Sequence, residues 1–503
     1  LVHIEVRSSD LDQIVRSTGA PPLTQINKMA GVRAHSALTR LSRMNLVATE
    51  LPVRQDIAAP RYTCYPMSER FVEAFTAADY GQALSQRHNG PAALAKPLSL
   101  YVHIPFCESL CYFCSCNKII TRQHQRSAQY LRCLACEVDL ITRSLGSDQA
   151  VTQLHLGGGT PTFLSDDELR QLLAMLGRSF AMAPAAELSI EVDPRTVDAA
   201  RLQVLADLGF SRLSFGVQDL DEQVLKAVHR PQPAAKVLGL IESARAIGFD
   251  AITVDLIYGL PRQTPETFAD TLGQIAQLRP DGVTLHGYAH LPERFRPQRR
   301  IVDSELPGAA ARQALLTQAT TILLGAGYVH LGAHHFSLPN DALTVARRQG
   351  RMHRGFQGYS THPDCDLVGL GVSAISRIGA AYAQNAPTLD EYGDCLGQGR
   401  LPVTRGLALT RDDLVRRAVI MALMCQGHVV FESIELAWLI DFRSYFAREL
   451  EQLRRHQAQG LVFVDDAGIQ LTSRGWFSVP DVSMEFDRYL QADRNRAQFS
   501  RII

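Results

Sequence analysis

The sequence has no apolar run approaching the roughly 20 residues that a membrane-spanning helix needs. It has no excess of charge either: Lys and Arg total 51, and Asp and Glu total 51. A neutral chain offers no electrostatic footprint for nucleic acid or an anionic membrane, so neither is expected as a partner. No basic, apolar and small-residue pattern of a secretory signal opens the chain, and the expected setting is cytoplasmic. No internal repeat and no low-complexity tract stands out beyond the N-terminal stretch. Ten cysteines would suffice for disulfides. Their clustering, the chain's size and the missing signal argue against that use, and in a reducing compartment clustered thiols are metal ligands or redox groups.

The 503 residues are 46% hydrophobic and 20% charged, the composition of an ordinary globular enzyme. That length exceeds one compact core and implies a large domain with smaller attachments. Residues 1–43 have no sustained apolar period, and Met44 follows them, so this stretch reads as a disordered arm or an upstream extension without function. Residues 44–96 read as an N-terminal arm. From about residue 98, apolar runs alternate with amphipathic ones. LSLYVHI, VTQLHLGGG, ELSIEVDP, SRLSFGVQ, AITVDLIYG, GVTLHGYAHL and YVHLGAHHF are the expected strands. DDELRQLLAMLGRSF, DEQVLKAVHR, AAKVLGLIESARAIGF and PETFADTLGQIAQL are the expected helices between them. This order predicts an α/β fold, a partial (β/α) barrel over 97–340 with parallel strands and its site at their C-terminal ends. Cys107, Gly157 to Gly159, Glu191, Asp193 and Gln218 fall at such ends, and Asp255 and Tyr258 lie on the fifth strand.

Residues 341–404 read as a connection contributing to the site. From 405 the pattern turns helical, with Thr410 as N-cap and Asp413 three residues on. LVFVDDAGIQL reads as a short hairpin. The C-terminal domain is therefore expected to be mostly helical and winged-helix-like. Such folds bind DNA or act as lids, and the neutral charge favours the lid.

The densest chemistry lies in YVHIPFCESLCYFCSCNK. Cys107, Cys111 and Cys114 follow a Cys-x3-Cys-x2-Cys spacing directly after the first strand. Three thiolates can hold three irons of a [4Fe–4S] cluster, leaving one iron open. Cys116, one residue beyond Cys114, is too close to reach the remaining corner and is expected beside the cluster. Zinc is the competing reading, and Cys133-x2-Cys136 would be its second half. That segment looks helical, and both cysteines are expected to be core residues. GGGTPT lacks the Gly-Lys-Ser/Thr of a phosphate loop, which excludes a nucleoside-triphosphate site of that kind.

These features together resemble the radical S-adenosylmethionine (SAM) superfamily. PRYTCYP, YVHIPFCESLCYFCSCNKIITR, HLGGGTPTFL, IEVDPR, RLSFGVQD, VDLIYGLPRQTPETF, YAHLPERFRPQRRI, HRGFQGYSTH, DLVGLGVSAIS and QFSRII, in this order, are similar to oxygen-independent coproporphyrinogen III oxidases, also called coproporphyrinogen dehydrogenases. The resemblance implies that Cys107, Cys111 and Cys114 ligate the cluster and that SAM chelates the open iron. It implies that Tyr101, Gly158, Gly159, Thr160, Glu191 and Arg230 hold a first SAM. Gln218, Asp255, Ala289 and Ile375, with Phe113 nearby, match positions linked to SAM in a family that binds a second one. It further implies oxidative decarboxylation of two propionates of coproporphyrinogen III to vinyls, an electron donor such as flavodoxin or ferredoxin, a monomer, and work at low oxygen. Arg294, Arg296, Arg299 and Arg300 offer guanidiniums for the substrate's carboxylates. His334, Gly287, Cys64 and Met67 depart from the family pattern, and His334 and Gly287 leave room for a paralogue with other radical chemistry; a haem-binding chaperone of a related group is the other alternative, against which Cys116 and the PRYTCYP arm speak.

Overall fold

Parallel strands form at the first six of the seven apolar runs, where the alternating runs bury an apolar face in one core. The computed structural model describes residues 60, 62–89, 96–146, 148–356, 358–362 and 364–492, all within the unit Leu51–Ile503. The expected extension 1–43, the start of the arm and the terminal QFSRII lie outside the described residues.

Strand β1 spans Leu98–Ile104, and the short β2 (Phe106–Cys107) and β3 (Ile119–Ile120) pair with each other at the base of the cysteine loop. The following strands are β4 (Ala150–Gly158), β5 (Ala181–Val192), β6 (Arg212–Gln218), β7 (Ala251–Tyr258) and β8 (Gly282–Gly287). Each pairs in parallel with the next, from β1 through β4 to β8. The seventh run, expected as one strand, is instead the hairpin β9 (Val329–Gly332) and β10 (His335–Ser337), and β10 runs antiparallel to β8. Positive φ at Gly332, Ala333 and His334 turns the chain there. The hairpin of β11 (His353–Gly355) and β12 (Gly358–Ser360) follows. Then β13 (Asp366–Leu370) returns to pair in parallel with β1, and β14 (Ile375–Ile378), β15 (Ala381–Asn385) and β16 (Val403–Ala408) extend the edge antiparallel. The sheet has twelve strands in the order β16-β15-β14-β13-β1-β4-β5-β6-β7-β8-β10-β9.

The strand pattern gives this sheet two unlike faces. On β6, Leu213, Phe215 and Val217 are buried while Arg212, Ser214, Gly216 and Gln218 alternate with them, partly open. The apolar face continues through Leu154, Leu156, Ile190, Val254, Leu256, Val283 and Leu285 into one core. Each such side chain contributes roughly 1.5–3 kcal/mol by leaving water. Helices Asp166–Ser179 and Pro265–Leu278 cover that face, each opened by a capping box, Ser165 with Glu168 and Thr264 with Thr267. The opposite face is polar and cross-linked between strands. Gln153 donates to Glu187 (3.1 Å), His155 Nδ1 lies 2.7 Å from Ser189, and Ser214 donates to Asp255 (2.8 Å).

The cysteines expected in the core of helix Gln125–Leu145 divide. Its buried stripe is Tyr130, Leu134, Glu137, Val138, Ile141 and Leu145. Cys133 flanks that stripe, half-buried, whereas Cys136 falls on the far side and is exposed. The helix expected after Thr410 spans Arg411–Gln426, with Thr410 and Asp413 forming the capping box. The expected hairpin is β18 (Val462–Val464) and β19 (Gly468–Leu471), and β19 also pairs with β17 (His428–Val430), a third strand.

Candidate active site

The cysteine loop leaves the C-terminal end of β1 and is tied down at both ends. Ile119 N donates to Pro105 O (2.7 Å) and Thr121 N to Cys107 O (2.9 Å). In between, Tyr112 N donates to Val228 O (2.9 Å), and His229 Nδ1 lies 2.7 Å from Leu110 O. Cys107 and Cys111 are buried and Cys114 is half-buried. The sulfur of Cys107 lies 3.2 Å from the hydroxyl of Thr160, and burial pushes its thiol up to about 12. Cys114 moves the other way, held below the ordinary thiol value by the hydrogen bond from Cys116 and by the Lys118 ammonium. Lys118 Nζ also donates to Cys114 O (3.0 Å).

Two guanidiniums point at Cys111: Arg195 Nη2 and Arg230 Nη1 each lie 3.4 Å from its sulfur. Both pair with Asp193, at 2.7 Å and 3.2 Å. Burial raises the Asp193 carboxyl, but Arg230 and then Arg195 outweigh it and hold it down at about 2. Arg230 Nη2 also donates to Gly216 O (2.5 Å), two residues before Gln218, which has φ 71°.

A second group of expected residues gathers across β1, β4 and β5. Tyr101 stacks on His155 with ring centroids 5.9 Å apart, and its hydroxyl lies 3.2 Å from His103 Nδ1. Glu191 accepts from Gly158 N (3.1 Å) and lies 3.5 Å from His155 Nε2. Glycine is required here. Gly158 has φ +119°, and an added Cβ would lie 2.8 Å from the His103 ring; at Gly159 it would lie 2.6 Å from Pro105 O.

Asp255 lies 3.5 Å from His286 Nε2; burial raises its carboxyl, but His286 and Ser214 together hold it below the ordinary value. Phe113 and Ala289 meet through the amide of Gln298. Ile375 stands apart, packed beside Cys64, Phe71 and Tyr382. It approaches β1 through Gly369, which pairs with Tyr101 and leaves no room for a Cβ against Ile375 O. Of the arginines in ERFRPQRR, Arg294 lies near Glu69 (3.8 Å), Arg299 near Glu293 (3.7 Å), and Arg300 over the Tyr112 ring (5.5 Å). His334 sits in the β9–β10 turn, where its carbonyl accepts from Leu285 N (3.0 Å). Sequence reasoning gave no role to His103, His155, Arg195 or Gln298, although all four lie inside the motifs YVHIPFC, HLGGGTPTFL, IEVDPR and YAHLPERFRPQRRI.

The donor set fits an iron–sulfur cluster. Among the described residues no three His, Cys, Asp or Glu side chains converge closely enough to hold one metal ion. A cluster takes one thiolate per iron, and Cys107, Cys111 and Cys114 offer three thiols on one loop. The glycine turn beside Glu191 lets His103 and the Pro105 carbonyl close directly against the backbone, where any Cβ would collide.

Residues 101–275 match the radical SAM superfamily, and residues 409–478 match the HemN C-terminal domain. The chain is 46% identical over 452 residues to the oxygen-independent coproporphyrinogen III oxidase of Pseudomonas aeruginosa, covering 90% of this chain and 97% of that one. It is 44% identical over 451 residues to the Escherichia coli enzyme of the same name, again covering 90% and 97%. The solved structure of coproporphyrinogen III oxidase from Escherichia coli, described as a radical SAM enzyme, superposes with a TM-score of 0.82 at 44% identity, over 85% of this chain and 97% of that one. The chain therefore belongs to the oxygen-independent coproporphyrinogen III oxidase family of radical SAM enzymes.

Proposed function

We propose that this protein removes two propionate carboxylates of coproporphyrinogen III as carbon dioxide, leaving vinyls and giving protoporphyrinogen IX for haem biosynthesis. The observation that carries this reading is the match to relatives of that name over nearly their whole length. Cys107, Cys111 and Cys114 would hold the [4Fe–4S] cluster. When bound, the cluster and SAM supply a 5′-deoxyadenosyl radical able to take hydrogen from a propionate β-carbon. Everything else is binding and orientation. Gly158 and Gly159 would border SAM, and Thr160 borders the cluster loop. Glu191, beside Tyr101, accepts hydrogen bonds from a ribose or amino group. Arg230, which pairs with Asp193, would pair with the SAM carboxylate.

Gln218, Asp255, Phe113, Ala289 and Ile375 would border a second SAM. No residue is assigned as acid or base, because hydrogen-atom transfer and loss of carbon dioxide need none. One electron per carboxylate passes to an acceptor, and a reduced protein such as flavodoxin or ferredoxin supplies the cluster. We further propose an arm at 44–96, a barrel at 97–340, a connection at 341–404 and a lid at 405–503, in a monomer of the cytoplasm. No helix among the described residues is long and apolar enough to cross a membrane.

The test is anaerobic. Reconstituted protein, SAM, reductant, electron acceptor and coproporphyrinogen III are combined, and tetrapyrrole masses are read. Loss of two carbon dioxides with formation of 5′-deoxyadenosine is expected. Deoxyadenosine without decarboxylation would discard the substrate and turn attention to His334 and Gly287.

A further inference from the structure

One buried amide joins the cysteine loop to the end of β8. Gln298 lies in the single-turn helix Arg296–Arg300, between exposed arginines, yet is only 2% exposed. Its Nε2 donates to Phe113 O (3.2 Å) and to Ala289 O (3.1 Å). Its Oε1 accepts from Leu291 N (2.6 Å). Two acceptors and one donor are thus satisfied by a single side chain, which among uncharged residues only a carboxamide can do. Phe113 stands between Cys111 and Cys114, and Ala289 stands two residues past β8. The contact therefore spans 185 residues of sequence and fixes the two segments against each other. Packing acts in the same direction. Tyr112 and Phe113 lie on a cluster formed by Tyr288 and Ile301 with Val224, Val228, Ile257 and Leu260. That apolar contact holds the loop down but does not set its register. Backbone bonds such as Tyr112 N to Val228 O tie the loop to the end of the helix Glu222–Ala227, and the directional bonds from Gln298 tie it to the end of β8.

We propose that Gln298 is a positioning residue of the radical reaction, holding the Phe113 and Ala289 carbonyls at a fixed separation and so setting the cluster loop against the β8 end. This rests on the reading that both residues border bound SAM. Gln298→Glu keeps the shape and the bond from Leu291 but gives up both donations to carbonyls. Gln298→Asn keeps the amide on a stem one methylene too short to bridge them. Each variant is loaded with iron and sulfide, and four quantities are read: iron content, unfolding midpoint, kcat and KM for SAM, and the electron paramagnetic resonance of the reduced cluster with and without SAM.

Both variants should keep their iron. KM for SAM should rise about tenfold, the order expected for losing buried hydrogen bonds. The SAM-dependent change in the resonance should need correspondingly more SAM. Wild-type KM and wild-type SAM response in both variants would overturn the proposal, as would activity lost only in proportion to iron. A wild-type chain with no SAM response at all would overturn the reading of the site and the clasp together. A wild-type response that the variants share overturns the clasp alone.

Discussion

Replacing Asp193 by Asn tests the electrostatics of the site without touching a cysteine. The Asp193 carboxylate is 10% exposed and faces Arg230 and Arg195, which are 6% and 19% exposed. Breaking such a buried pair leaves two guanidiniums uncompensated beside Cys111 and should cost about 3 kcal/mol at pH 7. The pH dependence gives an independent figure. The folded carboxyl, held near 2, lies below its unfolded value, so its stabilisation is full above about pH 4 and is lost as pH falls through about 2. The size of that drop corresponds to roughly 2 kcal/mol. Urea unfolding of the cluster-free chain, followed by circular dichroism between pH 2.5 and 7 (about the range that matters), measures both. The gap between wild type and Asp193→Asn should narrow by up to roughly 2 kcal/mol as pH falls. A gap under about 1 kcal/mol, or one independent of pH, would refute the reasoning.

Gly158→Ala should destabilise the chain by about 2 kcal/mol, because φ +119° is strained for any Cβ and the added carbon meets the His103 ring; thermal unfolding and a weakened affinity for SAM check it. Cys116→Ser should keep iron and SAM cleavage, since Cys116 is exposed and stands beside the ligand set, while Cys114→Ser should lose both; iron analysis decides. Glu137→Gln should remove a slope in stability against pH. Burial pushes Glu137 up to about 7, against the pull of hydrogen bonds from Tyr392, Gly371 and Asn385. Its folded value lies above the unfolded one, so its contribution is full below about pH 4 and is lost as pH rises through about 7, a difference of roughly 3 kcal/mol. The stability difference between wild type and variant across that window is the readout.

Much of the barrel was legible because period and punctuation agreed. LSLYVHI is β1 to the residue, and PETFADTLGQIAQL, with Thr264 and Pro265 at its start, is helix Pro265–Leu278. The cysteine loop stood out by its Cys-x3-Cys-x2-Cys spacing directly after β1. YVHLGAHHF misled because its turn rests on Ala333 and His334 in left-handed conformations, which neither residue type advertises. Strand β13 escaped because its partner β1 lies more than 260 residues away, and pairing at that range leaves no local pattern. Cys136 was misjudged by counting apolar neighbours instead of tracing the stripe through Leu134, Glu137 and Val138. The site's polar pairings were the least visible. That Asp193 aligns Arg230 and Arg195, or that Gln298 bridges Phe113 and Ala289, follows only from the fold.

The most direct measurement is the iron and acid-labile sulfide content of the anaerobically reconstituted chain, read with its spin resonance before and after SAM. The account predicts about four irons and four sulfides per chain, a reduced-cluster signal that SAM alters, and loss of both in Cys107→Ser, Cys111→Ser and Cys114→Ser. Bound zinc in place of iron, or a cluster that survives any of those three substitutions unchanged, would contradict it.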